Sequence, residues 1–150
     1  VEERIIESLP ASRTRHSLLG RVAQWLPWNG ALKASYRFYA DDWGITAHSA
    51  EFELDQRLHP YLYIGALYRI HTQTKVRFYA EHLTTEPELR TADSDLAAFD
   101  AQTVGGKVSL DMPFSWDFAR RVHVDLAVER YFRTNHLEVM VYTCELGFSR

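Results

Sequence analysis

The chain has 150 residues, enough for one ordinary domain, and its composition shows no break that would divide it. Its 46% hydrophobic and 25% charged residues are globular values and exclude intrinsic disorder. A formal net charge of -3 provides no basic surface for nucleic acid, and the single cysteine, Cys144, excludes an intrachain disulfide and a cysteine-based metal site.

Long strands are predicted along the chain, because apolar and polar residues alternate with a period of two. Residues 1–15 read as a loop or a short helix, and strands follow at about 16–26, 31–41, 47–58, 61–73, 100–112, 121–129 and 137–148. Asn29-Gly30 is the strongest short hairpin signal, and turns are also predicted at 42–44, 58–60, 113–118 and 133–136. The fourth strand is expected to continue to Phe78 and Tyr79, ahead of a polar loop over 80–98.

The two faces of these strands differ sharply in polarity. In the strand at 47–58, one face carries Glu51, Glu53 and Asp55, while the other carries Phe52 and Leu54. The polar face of the second to sixth strands carries Lys33, Arg37, Asp41, Glu51, Glu53, Asp55, Arg57, Arg69, His71, Lys107, Asp111, Arg121, His123, Asp125 and Glu129. So many charges cannot share a dry core. The polar face is therefore wet, either as the outside of a soluble barrel or sandwich or as the aqueous lumen of a membrane barrel.

Three features favour the membrane barrel. The first is a pair of aromatic belts, which suit the two interfaces of a bilayer: Trp25, Trp28, Tyr61, Tyr63, Phe114, Trp116 and Phe148 near one set of strand ends, and Tyr39, Trp43, Phe78, Tyr79, Tyr131 and Phe132 near the other. The second is an apolar terminal row that ends in Phe148, typical of outer-membrane barrels, although Ser149 and Arg150 follow it. The third is the long loop at 80–98, which lies on the side opposite the C-terminus, where extracellular loops are expected.

A motif in the second strand and its turn is more specific. Residues 36–48 read YRFYADDWGITAH and contain Tyr36, Arg37, Tyr39, Asp41, Asp42, Trp43, Gly44 and His48. This segment resembles the YR-Y-DDWGI-H signature of a domain-of-unknown-function family of predicted Gram-negative outer-membrane proteins. Residues 68–73, which end in Gln73, together with 78–79, resemble an arginine-aromatic-glutamine segment of that family, and residues 91–96 are similar to its threonine-serine-aspartate loop. The resemblance covers about 9–148, the C-terminal part of a longer family member, and implies an outer-membrane β-barrel without known catalytic residues.

We therefore predict an all-β, up-and-down antiparallel meander of about seven to eight long strands that forms a whole or partial transmembrane β-barrel. Residues 1–150 are expected to be a single barrel domain or the C-terminal part of a larger one; because single-chain bacterial barrels have an even strand number, residues 1–15 or a segment before Val1 would supply a further strand. The predicted location is the bacterial outer membrane, and the predicted role is a passive, porin-like pore or a structural barrel. Outer-membrane lipid, ions or small solutes, and the barrel-assembly machinery are the predicted partners, and no cofactor, metal or catalytic residue is predicted.

Other interpretations stay open. A soluble calycin-like barrel that binds a small apolar ligand would shield Phe52, Leu54, Val124 and Leu126 with protein. A barrel-mounted acyl hydrolase would need Ser49 within hydrogen-bond reach of a histidine, and the adjacent His48 points to the opposite face of a regular strand.

Three sets of polar residues are candidates for more specific roles. Asp41 and Asp42 suit a calcium ion or a hairpin turn with one lumen-facing carboxylate. The lumen-facing charges suit solute passage or a salt-bridge network that fixes the strand register. His71 and His123 lack an identifiable third ligand for a metal.

Overall fold

The computed structural model describes residues 7–81, 89, 91–113 and 121–149. Within these ranges the chain forms β1 (Arg15–Leu26), β2 (Gly30–Asp41), β3 (Thr46–His59), β4 (Leu62–Gln73), β5 (Phe99–Pro113), β6 (Arg121–Arg133) and β7 (Glu138–Ser149). The observed strands extend the predicted ones by a residue or a few at most ends, because backbone pairing continues into the turns.

The described strands form one antiparallel sheet in the order β1-β2-β3-β4-β5-β6-β7, so each strand pairs with its neighbours in sequence. This arrangement confirms the predicted all-β, up-and-down meander. The sheet is not closed within the described residues, since β1 and β7 are its two edges, and an open sheet of this kind is compatible with a partial barrel.

Two tight turns show how the sequence sets the hairpins. Asn29 has a φ of 62° in the predicted hairpin turn between β1 and β2, a conformation that asparagine tolerates better than most residues. Gly44 has a φ of 97° between β2 and β3, and a Cβ there would lie 2.8 Å from Cγ of Arg77. That position therefore requires glycine for its backbone conformation and for the close approach of Arg77.

The strand register separates odd-numbered from even-numbered residues. Odd residues pair with odd residues from β1 to β7, as in Lys33 with Glu53 and Glu51 with Arg69, except beside the β3–β4 turn, where His59 pairs with Leu62. Directly paired residues lie on the same face of a sheet, so the odd-numbered residues of all seven strands share one face. We call this the charged face, and the opposite one the apolar face.

The apolar face is more exposed than the charged face along the middle of the sheet. In β3, Phe52 is 49% and Leu54 is 43% exposed, whereas Glu51, Glu53 and Asp55 are partly buried. Leu126 on β6 is 50% exposed and Val124 is partly buried. Within the described residues, Phe52, Leu54 and Leu126 thus lack the shielding by protein that a soluble calycin-like barrel requires, while Val124 is shielded in part.

A small core lies beside the β2–β3 turn rather than in the middle of the sheet. Ile45, Ala47 and Val76 are buried there, and Tyr39, Trp43, Phe78, Tyr79 and Leu96 pack against them. Because Val76 N–H donates to the Leu96 carbonyl, the chain leaves the sheet after Gln73. The expected continuation of the fourth strand to Phe78 and Tyr79 is therefore wrong.

The predicted aromatic belts also need correction. The register places four of these rings on the charged face: Trp25, Tyr39, Tyr63 and Tyr131. They therefore point away from the face that a bilayer would contact. Trp43, Phe78 and Tyr79 pack in the small core. The predicted turn at 113–118 lies, apart from Pro113, outside the described residues, as do Phe114 and Trp116.

In the described part of the chain, no helix is both long and apolar enough to cross a membrane.

Candidate functional site on the charged face

The charged face gathers the polar residues singled out from the sequence. The register places Lys33, Arg37, Asp41, Glu51, Glu53, Asp55, Arg69, His71, Lys107, His123, Asp125 and Glu129 on this face. Each strand from β2 to β6 contributes, so the charges form rows that run across the sheet. The motif residues Tyr36 and His48 lie on the apolar face instead, where the Tyr36 hydroxyl is 2.6 Å from His48 Nδ1.

Four of these residues form an ion network across β2, β3 and β5. Lys33 Nζ lies 2.7 Å from Asp55 Oδ2 and 3.4 Å from Glu53 Oε2. Lys107 Nζ lies 2.5 Å from Glu53 Oε1 and 2.8 Å from Asp55 Oδ1. Two ammonium groups thus neutralise two carboxylates, and the contacts tie β5 to β3 across the strand between them.

Other polar side chains on this face pair locally. Arg69 Nη2 lies 2.5 Å from Glu51 Oε2, and His123 Nε2 lies 2.7 Å from Asp125 Oδ2. The side chains of Glu129 and Arg37 have no hydrogen-bond or salt-bridge partner within the described residues. The sequence left open whether the charges form a structural network or act on a solute, and the paired residues favour the network.

Asp41 anchors the N-terminal segment to the β2–β3 hairpin. Its carboxylate accepts hydrogen bonds from Arg13 Nε at 2.9 Å, from the Tyr39 hydroxyl at 2.9 Å and from the Ile45 N–H at 2.9 Å. The Asp41 side chain is fully buried, and these hydrogen bonds offset the free-energy cost of removing its carboxylate from water. The partners are protein groups, which favours the hairpin interpretation over a calcium site.

The neighbouring motif residues extend this anchor. Asp42 Oδ1 accepts from the Thr14 N–H at 3.0 Å, and the Trp43 indole N–H donates to the Ser12 carbonyl at 2.9 Å. The Arg13 guanidinium stacks over the Trp43 ring, 4.5 Å from its centroid. The DDWG part of the motif is thus accounted for by structure: it fixes the hairpin to residues 12–14 and, through Gly44, to Arg77.

The motif residue Gln73 connects the end of β4 to the loop that follows. Its Nε2 atom donates to the carbonyls of Asp95 at 2.8 Å and Ala97 at 2.9 Å. These two bonds fix the orientation of the amide, so Oε1 faces His71 Nε2 at 3.5 Å. His71 in turn places its other ring nitrogen, Nδ1, 2.8 Å from the hydroxyl oxygen of Ser49 on β3.

Sequence reasoning missed the contact between Ser49 and His71. The two residues are directly opposite each other in the β3–β4 register, whereas the sequence drew attention to the adjacent His48, which lies on the other face. The signal that would have found the pair is the exact register of the β3–β4 hairpin. A cavity of about 380 Å³ on the charged face is lined by both residues together with Arg37, Gln73 and Asp95.

Metal ligands do not cluster in the described residues: no group of three or more histidine, cysteine, aspartate or glutamate side chains there has a geometry that would hold an ion. His71 and His123 lie on different strands, β4 and β6, and His123 pairs with Asp125.

The fold and the site together define an all-β protein with a seven-stranded open sheet in its described part, charged and partly shielded on one face and apolar and exposed on the other. The chain belongs to a family of proteins of unknown function, DUF3570, whose model matches residues 1–145. This membership confirms the predicted assignment to a domain-of-unknown-function family. No curated protein and no solved structure matches the chain.

Proposed function

We propose that this chain is an outer-membrane β-barrel protein whose apolar face contacts lipid and whose charged face lines an aqueous interior. In this role it acts without a cofactor, as a passive pore or a structural barrel, and the bacterial outer membrane is its location. Lipid, the barrel-assembly machinery and ions or small solutes are the partners that this role implies.

The observation that carries the proposal is that the apolar face is more exposed to solvent than the charged face, which is the reverse of a soluble barrel or sandwich. Each strand of the sheet carries a large apolar side chain on the apolar face that is between 41% and 76% exposed: Leu18, Leu32, Phe52, Tyr68, Val104, Leu126 and Tyr142. Monomeric soluble proteins rarely expose a contiguous apolar patch larger than a few hundred Å². Hydrocarbon around the sheet would cover this face without any further protein.

The pairing of charges supports the same proposal. Lys33, Glu53 and Lys107 contact opposite charges on neighbouring or next-neighbouring strands, and these groups have side chains that are partly shielded from solvent. A barrel interior holds water and ionised side chains together, as membrane barrels do. Because the charges compensate one another, we favour a structural barrel with low conductance over an open pore.

Fractionation of the full-length protein tests the proposal. We expect recovery in the outer-membrane fraction, resistance to extraction at high salt and alkaline pH, and slower gel migration after boiling than before. A periplasmic marker protein and a known outer-membrane protein serve as controls in the same preparation. Recovery with the periplasmic marker would contradict the proposal and favour a soluble barrel.

A further inference from the structure

We propose that Ser49 and His71 form a nucleophile–base pair that hydrolyses small carboxylic esters in the cavity on the charged face. This inference goes beyond the proposed passive role. It does not depend on what covers the apolar face, since both side chains lie on the charged face.

The hydrogen bonds around His71 define which ring nitrogen carries the proton. Gln73 uses both amide hydrogens on the carbonyls of Asp95 and Ala97, so its Oε1 atom is left as an acceptor. The acceptor faces His71 Nε2, which therefore carries the N–H. The lone pair of Nδ1 then points at Ser49, whose hydroxyl donates to it over 2.8 Å. This is the arrangement in which an imidazole acts as the general base for a serine.

The imidazole is also held in place. The Phe99 ring lies against it, with ring centroids 5.4 Å apart, and the Arg133 guanidinium stacks on the Phe99 ring. Arg133 is itself buried and bonded to the Asp95 carboxylate and the Ser94 carbonyl. A fixed base and nucleophile are what acyl transfer needs, because loss of geometry costs rate steeply.

The cavity supplies the space and the charge for a substrate. Its volume of about 380 Å³ lies at the small end of ligand sites, which fits a short acyl group. Arg37 lines the same cavity and lies directly opposite Ser49 in the β2–β3 register. With no hydrogen-bond or salt-bridge partner among the described residues, the Arg37 guanidinium can stabilise the negative oxygen that develops on an attacked carbonyl.

The reaction follows from these roles. Ser49 Oγ attacks the carbonyl carbon of the ester while its proton passes to His71 Nδ1, and the C–O bond to the alcohol breaks as His71 returns the proton to the leaving oxygen. Water then attacks the acyl-serine, giving its proton to His71. The bond to Ser49 Oγ breaks, Ser49 regains the proton, and a carboxylic acid is released.

The probe for this proposal is an alkyl fluorophosphonate. It forms a P–O bond to an activated serine and releases fluoride. The folded full-length protein is incubated with the probe, digested, and the adduct is located by mass spectrometry. We expect the adduct on Ser49 among all serines of the chain, and none in protein unfolded in urea. This measurement uses the unaltered protein, so it does not depend on the folding of any variant.

Variants separate catalysis from mere exposure. Ser49→Ala is expected to abolish labelling and the hydrolysis of p-nitrophenyl acetate, and His71→Gln to slow both by about a hundredfold, the low end of general-base catalysis. Ser35→Ala, on the same face but without a histidine partner, is the matched control and should leave both rates unchanged. Absence of an adduct on Ser49 in the folded protein, or a His71→Gln variant that folds and labels as fast as the unaltered protein, would overturn the proposal.

Discussion

Lys107 on β5 reaches Asp55 on β3 across the strand between them, with Nζ 2.8 Å from Oδ1. This reach depends on Gly65 of β4, which lies beneath the lysine side chain. A Cβ at residue 65 would lie 2.5 Å from Lys107 Cε and 2.7 Å from Lys107 Cγ. The missing side chain on β4 is therefore what allows two charged groups on strands two apart to meet.

Gly65→Ala is expected to lower the free energy of unfolding by about 1–3 kcal/mol, as overpacking commonly does. The reason is that Lys107 must leave Glu53 and Asp55 to make room. Urea unfolding of the folded protein, followed by circular dichroism, measures the effect. Gly20→Ala on β1 is the control, since nothing lies within 4 Å of the added Cβ; equal midpoints for the two variants would refute the steric account.

Lys107→Met tests the ion network itself. Removing one ammonium leaves two partly buried carboxylates with Lys33 as the remaining cation, so we expect a loss of about 1–2 kcal/mol, between the values for exposed and buried pairs. Adding Glu53→Gln to this variant restores the charge balance and should recover part of the loss. Strictly additive losses in urea unfolding would show that Lys107 and Glu53 do not interact.

Asp41→Asn tests the anchor between the hairpin and residues 12–14. An amide can neither pair with the Arg13 charge nor accept all the hydrogen bonds of the carboxylate, so a loss of about 1–3 kcal/mol is expected. Asp42→Asn keeps an acceptor oxygen for the Thr14 N–H and is the matched control, with a much smaller effect. Calcium at millimolar concentration should not change the unfolding midpoint of the unaltered protein, whereas a rise that Asp41→Asn removes would revive the calcium interpretation.

Glu7 makes the attachment of the N-terminal segment dependent on pH. Hydrogen bonds from the Thr91 hydroxyl and the Ala92 N–H lower the pKa of the Glu7 carboxyl below its usual value of 4.5. Because the folded pKa is depressed, the stabilisation is fully present above pH 4.5 and is lost as the pH falls through the lowered value.

An NMR titration of the Glu7 side-chain carboxyl measures this shift. We expect a midpoint below 4.5 in the unaltered protein and a higher one in Thr91→Val, which removes the hydroxyl donor. A midpoint that is the same in both proteins would show that Thr91 does not hold the Glu7 carboxylate.

The meander could be predicted from the sequence because its signal is local. Each strand from β1 to β7 carries its own alternation, and turn residues such as Asn29 mark the hairpins. The polarity of the two faces follows from the same alternation, so the membership of the charged face also needed no long-range information.

The contacts within the charged face could not be predicted, since they depend on register to a single residue. In the β3–β4 hairpin the pairing shifts between Arg57 and His59, next to the turn. A shift of one residue changes which side chains face each other along the whole hairpin. The register that places Ser49 opposite His71 includes this shift, which no pattern in the sequence indicates. The contact between Glu7 and Thr91 joins residues that are still further apart in the chain.

The reactivity of Cys144 tests most directly whether the apolar face contacts lipid. Cys144 is exposed on that face of β7, where it pairs with Leu126, and Thr143 beside it lies on the charged face. In outer-membrane vesicles, we expect a charged maleimide that cannot cross lipid to leave Cys144 unmodified until the protein is denatured. The same reagent should modify Thr143→Cys in a Cys144→Ser background. Rapid modification of Cys144 in intact vesicles, at the rate seen for Thr143→Cys, would contradict the account.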